Sequence, residues 1–160
     1  MTPIRDARPE DAEAIGEAHA EAWRVGYAQQ FPADVLAQEV AIRRTRWDAE
    51  TVRANSAGDE VLLVAEDDEG VCGFVHGVAG EVGGLYVRPR AWGTGAGGAL
   101  VEAVLPSIGG EDAVLWTLEG SGRARRFYER TGWVLTGQVR EREFMGVLTR
   151  RLVEYARRLP

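Results

Sequence analysis

Leu85-Tyr86-Val87-Arg88-Pro89-Arg90-Ala91-Trp92-Gly93-Thr94-Gly95-Ala96-Gly97-Gly98-Ala99-Leu100 reads as a strand, a glycine loop and the opening of a helix. Glycines at 93, 95, 97 and 98 let a ligand approach the backbone closely, and the first N–H groups of the following helix point outward beside its positive end. Such a loop takes an anion, most simply a phosphate. A nucleoside triphosphate loop needs Lys and then Ser or Thr after its last glycine, whereas Gly98 is followed by Ala99-Leu100. Gly93-Thr94-Gly95-Ala96-Gly97-Gly98 does satisfy G-x-G-x-x-G, and Glu119 follows about twenty residues on, where an acid would hold a ribose. Against that dinucleotide reading, Arg88 to Trp92 separate the strand from the glycines. Too little chain follows for a full doubly wound sheet.

Arg90-x-x-Gly93-x-Gly95 resembles the acyl-CoA pyrophosphate loop of the GNAT superfamily of N-acetyltransferases. A second stretch, Ser121-Gly122-Arg123-Ala124-Arg125-Arg126-Phe127-Tyr128-Glu129-Arg130-Thr131-Gly132-Trp133, is similar to that family's later N-x-x-A-x-x-F-Y-x-x-x-G-F motif. The resemblance extends over nearly the whole chain and is diffuse before Val61. It implies an α/β, GNAT-like acyl-CoA N-acyltransferase fold: a mixed, mostly antiparallel sheet of six to seven strands with about four helices, splayed at the fourth and fifth strands.

The elements expected in order fit that outline. Pro3-Ile4-Arg5 is a short strand, and a helix opens at Arg8-Pro9-Glu10-Asp11 and runs to about Tyr27. Its apolar positions Ile15, Ala18, Ala22 and Trp23 have helical spacing, with His19 on the face of Trp23. After Phe31-Pro32 a second helix is expected from Ala33 to about Ala54, with Arg43-Arg44-Thr45-Arg46 as a solvated face. Val61–Ala65 and Val71–Val78 form a hairpin, and His76 in the second strand reads as structural rather than catalytic. Glu81–Val87 is the fourth strand, where Gly83-Gly84 suggests a bulge. A helix from Ala96 to near Pro106, a strand at Val114–Leu118, a helix at Arg123–Arg130 and a strand at Trp133–Leu135 follow. Glu143 to Leu152 supplies a last strand, and Val153 to Pro160 reads as a tail.

With 160 residues, 45% of them hydrophobic, the chain suits one domain over 1–160. A net charge of −6 argues against a nucleic-acid partner and suits cationic substrates. Cys72 is the only cysteine, so no internal disulfide forms and the cytoplasm is the expected location. No apolar stretch of about 18 residues exists, which speaks against a membrane span, and the acidic N-terminal segment does not resemble a signal peptide. A homodimer is compatible with the sequence, though no motif specifies one, and no metal site is expected.

The resemblance assigns roles residue by residue. The backbones of Leu85, Tyr86 and Val87 would pair with a pantetheine arm. Arg90, Gly93, Thr94, Gly95, Ala96, Gly97 and Gly98 would hold the pyrophosphate of acetyl-CoA, and Ser121, Arg123, Ala124 and Arg126 would complete the cofactor site. Thr94 stands where relatives often carry Arg or Lys, and Ser121 replaces an Asn. Glu81 would be the base that frees an amine, and Tyr128 the acid that protonates the leaving thiolate. Trp23 and Tyr27 either line the acceptor side or serve as core anchors. The implied reaction is acetyl transfer from acetyl-CoA to a small-molecule or peptide amine; the alternative is a catalytically silent acyl-CoA-binding or sensor domain. The sequence leaves the acceptor unspecified.

Overall fold

The computed structural model describes residues 2–160. In chain order the elements are β1 (Ile4–Asp6), α1 (Ala12–Gly26), α2 (Ala33–Thr45), α3 (Ala49–Ala54), β2 (Val61–Asp67), β3 (Gly70–Val78) and β4 (Glu81–Val87). They continue as α4 (Ala96–Ile108), β5 (Asp112–Leu118), α5 (Gly122–Arg130), β6 (Val134–Phe144) and β7 (Leu148–Arg158). One seven-stranded sheet runs β1-β2-β3-β4-β5-β7-β6, antiparallel throughout except between β4 and β5. That exception follows from connectivity, because a strand returned by the α4 crossover must run parallel to the one before it.

Alternation along the strands divides the core between the two faces. Leu63, Val75, Val82, Leu115, Val153 and Tyr155 pack with Leu100, Val101 and Val104 of α4. On the other face Leu62, Val64 and Phe74 meet Ile15, Ala18 and Val52, and Leu118, Phe144 and Leu152 meet Trp23, Phe31 and Val40. α4 lies so close to β3 that a Cβ added at Gly77 would stand 2.6 Å from Ile108 Cγ2.

Three expectations are corrected. The helix predicted from Ala33 to Ala54 breaks at Arg46-Trp47-Asp48, because the Asp48 carboxylate accepts the Thr51 N–H at 2.7 Å and starts α3, while the Trp47 indole turns inward and donates to His19 Nδ1 at 3.0 Å. Within the same run Arg43 is buried rather than solvated, stacked 3.6 Å from the Trp23 ring centre and paired with Glu39. Beyond Trp133, β6 runs on to Phe144, and Met145-Gly146, both at positive φ, turn the chain into β7. Val153 to Arg158, expected as a tail, is therefore sheet, paired along β5 from Leu118↔Leu152 to Asp112↔Arg158.

The feature that opens a site is at β4. His76 pairs with Gly84 and Gly77 with Val82, which leaves Gly83 as an extra residue, the bulge expected there. β4 and β5 share a single registered pair, Glu81↔Val114, with the Val114 N–H donating to the Gly80 carbonyl at 3.0 Å. Past that point the strands part.

Candidate active site

The gap between β4 and β5 is a cleft of about 580 Å³, walled by Leu85–Val87, Trp92, Gly93 and residues 95–98 of the glycine loop, Leu115–Thr117 of β5 and the inward face of α5. Its backbone can be assigned from one bond. The Arg88 N–H donates to the Cys72 carbonyl at 2.7 Å, so the antiparallel alternation commits Tyr86 to β3 and turns the N–H and C=O groups of Leu85 and Val87 toward the cleft. The Val87 carbonyl is taken by the Trp92 indole N–H at 2.8 Å. The other outward groups face a strand that has moved away.

At the mouth, Gly93 and Gly95 adopt φ of 76° and 92°, where a side chain is strained, and a Cβ on either would meet nothing within 4 Å. Gly95 caps α4, whose first internal bond runs from the Ala99 N–H to the Gly95 carbonyl. The N–H groups of Ala96, Gly97 and Gly98 therefore have no acceptor within the helix and lie at its positive end. The sequence ordered this loop correctly because its glycines are demanded locally.

On the opposite wall, Arg123 lies 3.3 Å from the Trp92 ring centre, and burial pulls its guanidinium below the usual arginine range. Arg126, Ala124 and the buried Ser121 line the same wall. Tyr128 is buried at the inner end; burial first, and then Tyr86, push its phenol well up, with Arg123 opposing. Arg90 and Thr94 are not among the lining residues. The Arg90 guanidinium holds both Asp67 oxygens at 3.0 Å, and the Thr94 hydroxyl donates to the Ala91 carbonyl at 2.6 Å.

Glu81 stands at the fork of β4 and β5 and lines a second, smaller cavity of about 110 Å³ with Trp23, Tyr27, Arg140, Arg142 and Phe144. Tyr27, Val82, Gly83, Tyr86, Trp116 and Thr117 border both spaces, so the smaller one continues the cleft past its inner end. Trp23 is packed against Tyr27, Phe31 and Phe144, which makes it a core anchor as well as a wall. His76 stays at the bulge, 3.8 Å from Glu60 and outside both cavities.

The sequence reading did not single out Trp92, Arg130, Trp116, Arg140 and Arg142, although all five border these spaces. A signal existed for the last pair, since Arg140-Glu141-Arg142-Glu143-Phe144 alternates in a way that places both arginines on the Phe144 face of a strand.

Residues 58–135 match the family model of the acetyltransferase (GNAT) domain. No curated protein matches the chain by sequence. Among solved structures, the fold is similar to a GCN5-related N-acetyltransferase from Rhodopseudomonas palustris, with 18% identity, TM-score 0.79 and 99% and 96% of the two chains covered. It is also similar to PaiA N-acetyltransferase from Thermoplasma acidophilum in complex with coenzyme A, with 20% identity, TM-score 0.73 and 99% of each chain covered. The ribosomal-protein-S18-alanine N-acetyltransferase from Escherichia coli aligns at 17% identity and TM-score 0.67 over 99% and 94% of the chains.

Proposed function

We propose that the chain is a GNAT acetyltransferase that transfers an acetyl group from acetyl-CoA to a primary amine by direct attack in a ternary complex, a reading supported by the acetyltransferase (GNAT) domain match over residues 58–135. One observation carries the reading: β4 and β5 share one pair at Glu81 and Val114 and then open onto the free amides of the glycine loop.

The residues present suit acetyl-CoA. Leu85 and Val87 offer the edge of a sheet to the amides of a pantetheine arm, as an added strand would use it. Ala96, Gly97 and Gly98 offer N–H groups to a diphosphate, and Arg123 and Arg126 face them from α5. Arg90 joins that set only by releasing Asp67.

Bound acetyl-CoA supplies an acyl group already activated as a thioester, so the tasks left to this chain are to place the amine and move protons. An alkylammonium of pKa near 10.4 is neutral in about one molecule in 2,500 at pH 7, a deficit of roughly 4.6 kcal/mol. Glu81, at the fork, is the proposed base, acting through water. The backbone N–H groups of the Gly83-Gly84 bulge are the proposed donors to the developing oxyanion, where loss of one donor typically costs about 3 kcal/mol. Tyr128 is the proposed acid for the leaving sulfur. Burial keeps its proton on at neutral pH, and the same burial raises any thiol beside it, which narrows the gap the proton must cross. Trp23 and Tyr27 form the acceptor wall, and a single domain in the cytoplasm, as monomer or homodimer, belongs to the same reading.

The test is acetyl-CoA titration followed by thiol detection across an amine panel. The sequence contains no lysine, so no side chain of the enzyme competes as a primary amine. Saturable binding with thiol release supports the proposal. Binding with no turnover on any amine turns the reading into an acyl-CoA sensor, and preference for NAD over CoA rejects it.

A further inference from the structure

The cavity past Glu81 carries charge that acetyl transfer itself does not use. Arg140 and Arg142 line it from β6, the first stacked 4.2 Å above the Trp116 ring centre and the second 4.9 Å above that of Phe144. Among the described residues, neither forms an ion pair with a carboxylate. Arg142 also stands directly across the β6–β7 ladder from Arg150, whose guanidinium is occupied by the carbonyls of Gln30 at 2.9 Å and Thr149 at 3.1 Å.

Like charges opposite one another weaken an antiparallel ladder. A chain of net charge −6 has carboxylates available to relieve them, yet those nearby are engaged elsewhere. Glu141 and Glu143 alternate to the other face of β6, Glu154 accepts the Thr136 hydroxyl at 2.8 Å, and Glu119 pairs with Arg151 at 3.6 Å. Glu81 is the one carboxylate that borders the cavity. Two guanidinium groups held by aromatic rings, with their donors uncommitted, match the geometry of an oxyanion.

We propose that the acceptor is a small amine that carries its own oxyanion, a carboxylate or a phosphonate, which Arg140 and Arg142 grip while the amine faces Glu81. The inference rests on the acetyltransferase reading and narrows its acceptor. The overall acidity of the chain suits cations, but the local charge at this cavity is of opposite sign. A volume of about 110 Å³ fits a free amino acid better than a polyamine or a folded protein. A peptide N-terminus lacks the adjacent carboxylate.

Thiol-release rates at saturating acetyl-CoA are measured for amino acids, aminophosphonic acids, the matching carboxamides and the matching amines without an acid group. Calorimetric binding of the same compounds to the enzyme–CoA complex runs in parallel. The acid is expected to exceed its carboxamide by about tenfold or more in kcat/KM and in affinity, the scale of one charge-assisted hydrogen bond. R140Q and R142Q, which keep long side chains on an exposed strand, are each expected to cut that preference to below about threefold, and R142K to retain part of it. Comparison of the two acid series identifies which oxyanion is used. Equal use of carboxamides or acid-free amines, or a preference that survives in both glutamine variants, overturns the proposal and leaves acetyl transfer standing. If no amine releases thiol, the acetyltransferase reading fails, and the binding arm still decides the oxyanion site.

Discussion

His19 gives the fold a pH dependence whose size follows from its surroundings. The side chain is 4% exposed, accepts the Trp47 indole N–H through Nδ1 at 3.0 Å, and lies 4.2 Å and 5.4 Å from the ring centres of Tyr86 and Phe74. Burial, reinforced by the charges of Arg43 and Arg46, pulls its pKa down to about 2. In the unfolded chain the ordinary value near 6.5 applies, so below pH 6.5 the unfolded state binds a proton that the folded state refuses. The stability is fully present above that value and is lost as pH falls, approaching about 1.4 kcal/mol per pH unit. At pH 5 the loss is about 2 kcal/mol, and it hardly changes for any native value below about 4. His76, also pulled down by burial but partly relieved by Glu60, adds to the loss in the same direction. Urea denaturation at pH 7.5 and 5.0 of the wild type and of His19→Gln, which keeps an acceptor for Trp47 but does not titrate, isolates the effect. The wild type should lose about 2 kcal/mol more than the variant over that interval. Equal losses would refute the idea that a neutral imidazole is locked between α1 and the sheet.

Tyr128→Phe should lower kcat about a hundredfold while changing acetyl-CoA affinity less than about twofold, as stopped assays and calorimetry would register; an unchanged kcat removes the phenol from the chemistry. Glu81→Gln should depress kcat/KM most at neutral pH and progressively less as pH approaches the pKa of the acceptor, where the free amine no longer needs a base. A pH-independent deficit would make Glu81 a positioning residue instead. Gly16→Ala places a Cβ 2.4 Å from the Arg44 carbonyl oxygen, where α1 and α2 touch, and should destabilise by about 1–3 kcal/mol in urea; no change would mean that the two helices sit farther apart.

The parts legible in the sequence were those with local causes. The glycine loop needs positive φ at 93 and 95, the bulge uses paired glycines at 83 and 84, and a crossover helix dictates the parallel pair, so each can be read without knowing the rest of the chain. The break at Trp47 is different, because it depends on a hydrogen bond to His19, 28 residues earlier. The β6–β7 turn escaped notice because its first residue at positive φ is Met145, where a glycine or asparagine would be the usual signal. Arg90 matched a motif yet is paired with Asp67 at the end of β2, a partner that no spacing rule supplies. The buried Arg43 and the arginines of β6 carry charge where a sequence pattern suggests solvent; the rings under Arg43 and Arg140, Trp23 and Trp116, come from other elements, whereas Phe144 under Arg142 lies two residues along the same strand.

The central claim is that the splayed edge of β4 and the start of α4 together hold acetyl-CoA. Amide NMR of the ¹⁵N-labelled protein during titration with CoA tests it at the atoms concerned. Saturable shifts should gather at Leu85, Val87, Gly93, Gly95, Ala96, Gly97 and Gly98 and leave β1 and β2 unmoved. Saturable binding that shifts amides elsewhere and leaves those seven in place would contradict the account.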